Sequence, residues 1–531
     1  MGVISAGLRR ICRPTETLRG WYESEVMRRN DFARNTRVFS SPLFHPRNEH
    51  RLHLYDSRSC KHFLVERILG DLILLVISSH RDVSRHIHEI ANKYTLREIS
   101  EGFDAYEELM RHLSRISKPP PPSRKIVGWR EVHLLTYGTL TCNLACRYCN
   151  SNHVRTMASA GKTPKIMPLA TAKRIIQFGA ENLADKTGHV FVYFSLGGEP
   201  LLSFKRYRVL WDYCNEISQK TGVSVILNIN TNGTVFTEEF IRHCEDNNVW
   251  MAISIDGPKD IHDSMRPFRS SKGSYDTIVN NLPRIFGSKC EGLNGATAAA
   301  VLTGMNPYPK RVSQHLIDLG FRRIAIKPVR DDQNKEWSLN AKTVEGFKKG
   351  YAEYAEWMLD CLIKEDDSIY SVLIGHDFFA RYLIRFIRET KQAYRCEAGT
   401  GIFGVGMDGG LYPCDSFIRF EKYRLGDVFD GIDKDKQLAF IKDTSIDDKP
   451  VCHDCWARYL CGGCCYFSSS IANGNHLIPD PYKCELIRHC IELAIDIYVG
   501  LRHSNPVALE RLCEAVFQSD SLVITPLPHD S

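Results

Sequence analysis

The chain has 531 residues, of which 43% are hydrophobic and 25% are charged, and its formal net charge is +6. This composition is typical of a globular protein with a sizeable core, and no Lys/Arg run indicates a nucleic-acid binder. The longest apolar run, DLILLVI at 71–77, is far shorter than the roughly 20 residues of a membrane-spanning helix. Arg9 and Arg10 interrupt the N-terminal apolar stretch, so no secretory signal is recognisable. We therefore expect a cytoplasmic protein that binds neither nucleic acid nor membrane.

The first quarter of the chain predicts a small module and a linker. Residues 1–36 are rich in arginine without clear periodicity and receive no assignment. Within 37–116, RLHLYDS at 51–57 reads as a strand, and an apolar block leads from it into two amphipathic helical stretches. These elements favour a winged-helix-like module, with a generic helical cap as the alternative. The four prolines of SKPPPPSR then predict a stiff linker over 117–125, because consecutive prolines end helices and central strands.

Residues 126–365 alternate between strand and helix patterns, which predicts an α/β fold with a parallel sheet covered by helices. The β-branched or aromatic runs are 132–139, 190–196, 223–229, 249–255, 296–303 and 321–329. Six such units predict an open, partial (β/α)6 barrel with its functional loops at the carboxyl ends of the strands. Over 366–490 the pattern gives way to glycines, short strands and cysteines, which indicates a metal-organised domain. The tail, 491–531, looks partly helical and receives no function.

Nineteen cysteines are unusual in a cytosolic protein, where disulfides persist poorly, so clustered cysteines indicate metal binding or catalysis. Cys142, Cys146 and Cys149 lie on one short loop, TCNLACRYCN, at the end of the first predicted barrel strand. A structural zinc site needs four closed ligands, and no fourth patterned cysteine or histidine lies nearby. Three thiolates suit instead a [4Fe–4S] cluster whose fourth iron is open to another ligand.

The Cys-x3-Cys-x-aromatic-Cys spacing resembles that of the radical S-adenosylmethionine (SAM) superfamily. Three further motifs follow in the superfamily's order: SLGGEP, NINTNG and ISIDGPKDIHDSMRP. The resemblance implies that the three cysteines hold the cluster. It also implies SAM-binding roles for Tyr148 at the adenine, for Gly197, Gly198 and Glu199 at the amino group, for Ser254 as a further contact and for Arg266 at the carboxylate.

The same resemblance implies the chemistry. The amino and carboxylate groups of SAM would chelate the open iron, and an electron from the cluster would cleave the sulfonium to a 5′-deoxyadenosyl radical. That radical would remove a hydrogen atom from the substrate, while the protein contributes orientation and excludes water. An external electron donor such as flavodoxin or ferredoxin is implied as a partner.

The C-terminal cysteines are similar in spacing to the SPASM domain, the auxiliary-cluster domain of radical SAM peptide-modifying enzymes. Structural zinc is the alternative, because Cys-x2-Cys is also a zinc spacing. The resemblance implies two auxiliary [4Fe–4S] clusters and hence three clusters in all. The implied ligands of the outer cluster are Cys452, Cys455, Cys461 and Cys484, and those of the inner cluster are Cys396, Cys414 and Cys465.

The inner ligand set differs from that of the anaerobic sulfatase maturases, which are related enzymes. They carry another cysteine six residues after the first, where this chain has Ile402. Either another residue closes the inner site, with Cys464 as a candidate, or an open iron could bind a substrate thiolate. Asp415 matches the proton acceptor proposed for those maturases, which makes it the candidate catalytic residue. A solvated loop residue is the alternative.

Three functions are therefore considered. The first is a maturase that abstracts hydrogen from a ribosomally made peptide or protein and forms a thioether or other crosslink. In similar enzymes a winged-helix-like domain captures the precursor as an added strand, and 37–116 could do the same. The second is an anaerobic sulfatase maturase that makes formylglycine from Cys or Ser. The third is a non-enzymatic cluster or zinc scaffold, which the GGEP and SIDG motifs disfavour.

Overall fold

In the computed structural model the described residues are 14–28, 36–39, 51–77, 83–116, 126, 128–159, 164–247, 249–330, 334–375 and 377–518. The linker predicted at 117–125 lies outside these ranges. No helix within them is both long enough and apolar enough to cross a membrane.

The described part of the N-terminal module combines a three-stranded antiparallel sheet with four helices. The strands, paired in the order β1-β2-β3, are β1 (Thr36–Phe39), β2 (Arg51–Asp56) and β3 (Lys61–Glu66). The helices are α1 (Pro14–Arg28), α2 (Arg67–Ile77), α3 (Val83–Lys93) and α4 (Leu96–Ile116). The apolar block of the sequence divides between β3 and α2, and α2 packs against β2, α3 and α4. Leu72, Ile73 and Leu75 of α2 are consequently fully buried.

Six parallel strands, hydrogen-bonded in sequence order, form the centre of the chain. They are β4 (Trp129–Thr136), β5 (Ala184–Tyr193), β6 (Ser224–Thr231), β7 (Met251–Ser254), β8 (Thr297–Leu302) and β9 (Arg323–Pro328). Typical Cα partners are Val132 with Val190 in β4–β5 and Ala298 with Ile324 in β8–β9. The chain therefore has a mixed α/β fold with a central parallel sheet, and the carboxyl ends of its strands meet at one edge.

Helices connect the parallel strands, because such neighbours need long crossover connections. They are α5 (Asn152–Ser159), α6 (Leu169–Phe178), α7 (Phe204–Thr221), α8 (Glu238–Asn247), α9 (Lys259–Met265), α10 (Tyr275–Phe286), α11 (Glu291–Asn294) and α12 (Pro309–Asp318). Apolar residues spaced three or four apart give these helices a buried face. On α10, for example, Ile278, Leu282 and Ile285 are buried.

Four short strands after residue 400 extend the same sheet. They are β10 (Ile402–Val405), β11 (Gly410–Tyr412), β12 (Gly426–Asp427) and β13 (Gly431–Ile432). β10 pairs in parallel with β4, and β11, β12 and β13 follow as antiparallel neighbours, so the sheet has ten strands. This pairing brings the cysteine-bearing segment 396–414 next to the first strand of the partial barrel.

Helices complete the C-terminal part of the chain. They are α13 (Val344–Ile363), α14 (Tyr370–Ile374), α15 (Ala380–Ile387), α16 (Lys434–Ile441), α17 (Arg458–Cys461), α18 (Tyr466–Asn473), α19 (Pro481–Ser504) and α20 (Pro506–Gln518). α19 packs against α13 and α15. The domain boundary expected at residue 490 falls inside α19, whose buried residues continue to Leu501. The last domain and the expected tail therefore share one helix.

The N-terminal module contacts the C-terminal part of the chain through its sheet. The Tyr55 ring is fully buried, with its centroid 6.1 Å from that of Phe386 and 6.2 Å from that of Trp456. Arg37 forms an ion pair with Glu492 of α19 at 2.8 Å. Since Trp456 directly follows Cys455, the module lies against one of the cysteine-bearing segments.

Candidate active site

The carboxyl ends of the central strands surround a cavity of about 300 Å³. Its lining includes all nine residues that the sequence placed at SAM and its cluster, namely Cys142, Cys146, Tyr148, Cys149, Gly197, Gly198, Glu199, Ser254 and Arg266. They lie at or after the ends of β4, β5 and β7, which the parallel sheet brings together because its parallel strands point to the same edge. Asp415 also lines this cavity.

Backbone pairing with residues 265–269 supports the cysteine loop. The Ala145 N–H donates to the Pro267 carbonyl at 2.8 Å, and the Arg147 N–H donates to the Met265 carbonyl at 2.9 Å. The Arg269 side chain adds a bond from its Nε to the Cys142 carbonyl at 2.7 Å. The loop is therefore fastened along its length, and its three thiols remain partly exposed.

A buried network joins this loop to the end of β7. The Tyr148 hydroxyl donates to Asp256 Oδ2 at 2.6 Å and accepts from Arg266 Nη1 at 2.8 Å. Asp256 Oδ1 accepts from the Val301 N–H at 3.1 Å. Burial raises the pKa of the Asp256 carboxyl, and the Arg266 guanidinium opposes that rise. Burial also raises the pKa of Cys146 to about 11, again opposed by Arg266. The positive charge of Arg266 therefore favours the ionised forms of Asp256 and Cys146, and its hydrogen bond holds the Tyr148 side chain in position.

Glu199 is buried and accepts three hydrogen bonds from the protein. Oε1 accepts from the Leu201 N–H at 3.0 Å and from the Thr231 hydroxyl at 2.7 Å, and Oε2 accepts from the Asn232 N–H at 2.7 Å. Burial raises the pKa of Glu199, and these hydrogen bonds oppose the rise. A carboxylate offers about four acceptor positions, so Glu199 retains capacity for one further donor such as an ammonium group.

The two glycines of the same motif allow the backbone to approach the cysteine loop. Gly197 has a φ of +108°, a conformation that side chains disfavour. A Cβ on Gly198 would lie 2.3 Å from the Thr141 carbonyl oxygen, so only glycine fits there. The Glu199 N–H donates to that carbonyl at 2.8 Å.

Sequence reasoning missed two polar residues of this cavity. Asn232 Nδ2 donates to Asn143 Oδ1 at 2.8 Å and lies 3.8 Å from Cys142 Sγ. Arg155 donates from Nε and Nη2 to the Gly197 carbonyl at 2.9 and 2.7 Å. The NINTNG motif could have indicated Asn232. Arg155 carried no signal, because its partner is 42 residues away.

A second, smaller cavity is lined by the three cysteines expected at the inner cluster, Cys396, Cys414 and Cys465. Burial raises the pKa of Cys414 well above the usual range of a thiol. Ile402, which stands where the sulfatase maturases have a further cysteine, lines this cavity too. Arg330 and Asp415 line both this cavity and the larger one. The inner cysteines are therefore adjacent to the candidate active site.

A third cavity is lined by five cysteines: Cys452, Cys455, Cys461, Cys464 and Cys484. Four of them are the expected outer ligands. Cys464, the candidate for closing the inner cluster, lines this cavity and not the one that holds Cys465. Gly462 and Gly463 turn the chain with φ values of +74° and +94° just before Cys464, and Cys465 directly precedes α18.

A buried cation lies beside the outer cysteines. Lys449 is 0% exposed, its Nζ is 4.9 Å from the centroid of the Tyr466 ring, and among the described residues it has no hydrogen-bond acceptor. Burial raises the pKa of Cys452 to about 12, and the Lys449 charge opposes the rise. Because a buried ammonium is costly without a negative partner, thiolates beside it fit this environment. Across the described ranges, no three Cys, His, Asp or Glu ligands converge on a single metal-ion position.

The carboxyl ends of the strands bring together the three-cysteine loop, the segment 197–199 and Arg266 around one cavity. This arrangement is typical of a cofactor-binding α/β protein. Residues 136–306 match the family model for the Radical SAM superfamily. The cysteine-type anaerobic sulfatase-maturating enzyme of Clostridium novyi (strain NT) is 25% identical over 358 residues, or 62% of this chain and 87% of that protein. The serine-type enzyme of Bacteroides thetaiotaomicron is 24% identical over 346 residues, or 61% of this chain and 80% of that protein.

Among solved structures, anSMEcpe with bound AdoMet has the same fold. The TM-score is 0.59 at 20% identity, and the match covers 73% of this chain and 98% of that chain. Residues 136–306 thus carry a radical SAM domain, and the chain is similar to the anaerobic sulfatase maturases. The superfamily implies SAM and one [4Fe–4S] cluster. The residues fit both, because a three-thiol loop and a carboxylate with one acceptor position left line one cavity.

Proposed function

We propose that the chain is a peptide maturase that uses SAM and three [4Fe–4S] clusters to crosslink a ribosomally made peptide or protein, most readily through a thioether. The placement of the inner cysteines carries this proposal. Cys396, Cys414 and Cys465 line a cavity that shares Arg330 and Asp415 with the SAM cavity. A substrate in the larger cavity could therefore reach the inner site.

The inner cluster is proposed to keep one open iron. Ile402 has no donor atom, and Cys464, the other candidate for a fourth ligand, lines the outer cavity. Thiolates are favoured iron ligands, so a substrate cysteine could occupy the open position. The outer cluster would be held by Cys452, Cys455, Cys461 and Cys484, the four ligands implied by the cysteine spacing.

The residues of the larger cavity would hold the first cluster and SAM. Cys142, Cys146 and Cys149 would bind three irons, Glu199 would accept from the SAM amino group, and Ser254, Arg266 and the Tyr148 segment would contact the rest of the molecule. When bound, SAM and its cluster supply the hydrogen-atom abstraction. An external donor such as flavodoxin or ferredoxin would supply the electron.

Asp415 is proposed to accept a proton from the substrate. It is 7% exposed and lines both the SAM cavity and the inner cavity. Forming a thioether breaks one C–H and one S–H bond and makes one C–S bond, so the peptide would lose a hydrogen atom to the 5′-deoxyadenosyl radical, one proton, and one electron that the inner cluster would take up. A carboxylate between the two cavities is suitably placed to take that proton.

The N-terminal module is proposed to bind the precursor as an added strand. Within the described residues, β3 pairs only with β2, so its other edge can accept a peptide strand. The ring of Phe63 in β3 lies 5.9 Å from the His112 ring of α4. A peptide side chain packed between β3 and α4 would add apolar contact to the backbone hydrogen bonds.

The test is anaerobic reconstitution with iron, sulfide, SAM and reductant, followed by incubation with the short peptide encoded beside the gene. The proposal expects a product lighter by two hydrogens in which one cysteine no longer reacts with an alkylating reagent. The Cys142/Cys146/Cys149→Ala variant is the control and should leave the peptide unchanged. An unmodified peptide with wild-type protein that contains all its clusters would overturn the proposal.

The position of Asp415 also favours a second function, the conversion of Cys or Ser to formylglycine, and the similar sulfatase-maturating enzymes point the same way. The discriminating substrates are peptides with the sulfatase motif carrying Cys or Ser. Oxidation of Ser also removes two hydrogens, so mass alone does not separate the reactions. A hydrazine probe does, because it labels a new carbonyl and does not label a thioether.

A further inference from the structure

A fully buried ammonium group lies beside the outer cavity, and in the described part of the chain no carboxylate bonds to it. Lys449 is 0% exposed, and its Nζ has no hydrogen-bond acceptor among the described residues. Asp447, two residues earlier, accepts instead from Arg458 Nε at 3.2 Å and from the Tyr459 hydroxyl at 3.1 Å. Because burying a charge is costly unless an opposite charge is close, this position suits an anionic neighbour.

Two contacts place the ammonium group at the walls of both auxiliary cavities. A Cβ on Gly463, which lines the outer cavity, would lie 3.5 Å from Lys449 Nζ. The Gly463 carbonyl oxygen is 3.3 Å from Sγ of Cys461, one of the expected outer ligands. The Tyr466 ring, whose centroid is 4.9 Å from Nζ, lines the inner cavity. The charge therefore adjoins the outer ligand segment directly and the inner cavity through an aromatic ring.

Two arginines near the same ligand segment have acceptors of their own. Arg385 Nη1 donates to the carbonyls of Leu460 and Cys461 at 3.0 and 3.2 Å. Arg395 Nη1 donates to the Cys461 carbonyl at 3.4 Å. These carbonyl dipoles compensate part of each guanidinium charge. Lys449 has no such acceptor within the described ranges, so its charge acts on the outer cavity with little compensation.

We propose that Lys449 is the buried countercharge of the outer cluster and raises the reduction potential of that cluster. The inference rests on the outer auxiliary cluster of the proposed function. A [4Fe–4S] cluster held by cysteine thiolates is anionic, and its potential responds to the charge around it. A fixed positive charge stabilises the cluster more after it has gained an electron than before, and more strongly in the protein interior than in water. In the proposed reaction one electron would then pass from the inner cluster to the outer cluster, with no bond broken and no proton moved.

The experiment is a potentiometric titration, followed by electron paramagnetic resonance, of anaerobically reconstituted full-length protein that carries Cys142/Cys146/Cys149→Ala. This background removes the first cluster and should contain about eight irons, given four per cluster. Lys449→Met removes the charge at similar volume, and Lys449→Gln is a second neutral variant. Lys442→Met is the matched control, because Lys442 is exposed, lies seven residues earlier and carries the same charge. Circular dichroism and iron counting verify that each variant is folded and contains its clusters.

Both neutral variants should lower the reduction equilibrium constant of one auxiliary cluster at least roughly tenfold, which is about 59 mV for one electron. Lys442→Met should leave both constants within about threefold of the background, because an exposed charge is screened by solvent. Iron release from the oxidised proteins to a chelator should also be at least roughly tenfold faster in the neutral variants, since the anionic cluster has lost its countercharge.

Changes below tenfold in both measurements would overturn the inference, and so would a raised potential in either neutral variant. A change in the fold alone would not lower a midpoint potential in both variants, so the titration separates an electrostatic role from a merely structural one. A background protein with about four irons or fewer would instead contradict the proposed auxiliary clusters, so the two failures are distinguishable.

Discussion

Replacing Tyr148 with Phe removes one hydroxyl from the centre of the network that fastens the cysteine loop. That hydroxyl bonds to Asp256 at 2.6 Å and to Arg266 at 2.8 Å. Both partners are charged and buried, and a hydrogen bond to a charged group contributes about 1.5–3 kcal/mol. If the Arg266 guanidinium then donates directly to the Asp256 carboxylate, this new hydrogen bond replaces one of the two that were lost. We therefore expect a net loss of about 2 kcal/mol in the local stability of the loop.

Native-state hydrogen exchange measures this loss where it occurs. The amides of Ala145 and Arg147 donate to the segment 265–267, so they exchange when the loop opens. A loss of about 2 kcal/mol corresponds to roughly 30-fold faster exchange. Tyr351→Phe is the control, because that ring is 0% exposed and its hydroxyl has no hydrogen-bond partner among the described residues. Exchange in Tyr148→Phe within threefold of wild type would refute the idea that this network fastens the loop.

Three further predictions concern other parts of the molecule. Burial lowers the pKa of His133 to about 4 from the 6.5 of an exposed histidine, so only the unfolded chain takes up the proton between these values. This one histidine should therefore lower the free energy of unfolding by about 3 kcal/mol as the pH drops from 6.5 to 4. Urea unfolding measures this free energy, and the His133→Phe variant should lack this contribution. Glu199→Gln replaces one carboxylate oxygen, which accepts hydrogen bonds, with an NH2 group that faces other donors. The affinity for SAM, measured by equilibrium dialysis, should therefore fall roughly tenfold. Unchanged affinity would contradict the role of Glu199. A Cβ at Gly404 would lie 2.2 Å from the Cys414 carbonyl oxygen, so Gly404→Ala should displace Cys414 and lower the iron content by about four, whereas Gly20→Ala in α1, where the Cβ meets no atom within 4 Å, should not.

Local spacing was sufficient to find the loops that carry the site. Cys142, Cys146 and Cys149 lie within eight residues, and the glycine–glutamate motif is shorter still, so each is visible as a string of letters. Their placement around one cavity could also be expected, because every predicted strand ends at the same edge of a parallel sheet. Strands of the central parallel sheet were recognisable because buried strand positions favour β-branched and aromatic residues.

The N-terminal sheet was only partly predictable from the sequence pattern. Only β2 was recognised as a strand, while β3 was hidden in an apolar block that continues into α2. A short apolar run does not distinguish a strand from a buried helix, and the antiparallel pairing with β2 decided the outcome.

The sequence by itself identified the candidate ligands, because ligand spacing is a local property of the chain. Only the tertiary structure decided how those residues are shared among the cavities. Cys464 and Cys465 are neighbours in sequence, yet they line different cavities. Arg266 meets the Tyr148 hydroxyl across 118 residues. Contacts of this kind depend on backbone direction and on packing between distant elements, neither of which leaves a periodic trace in the sequence.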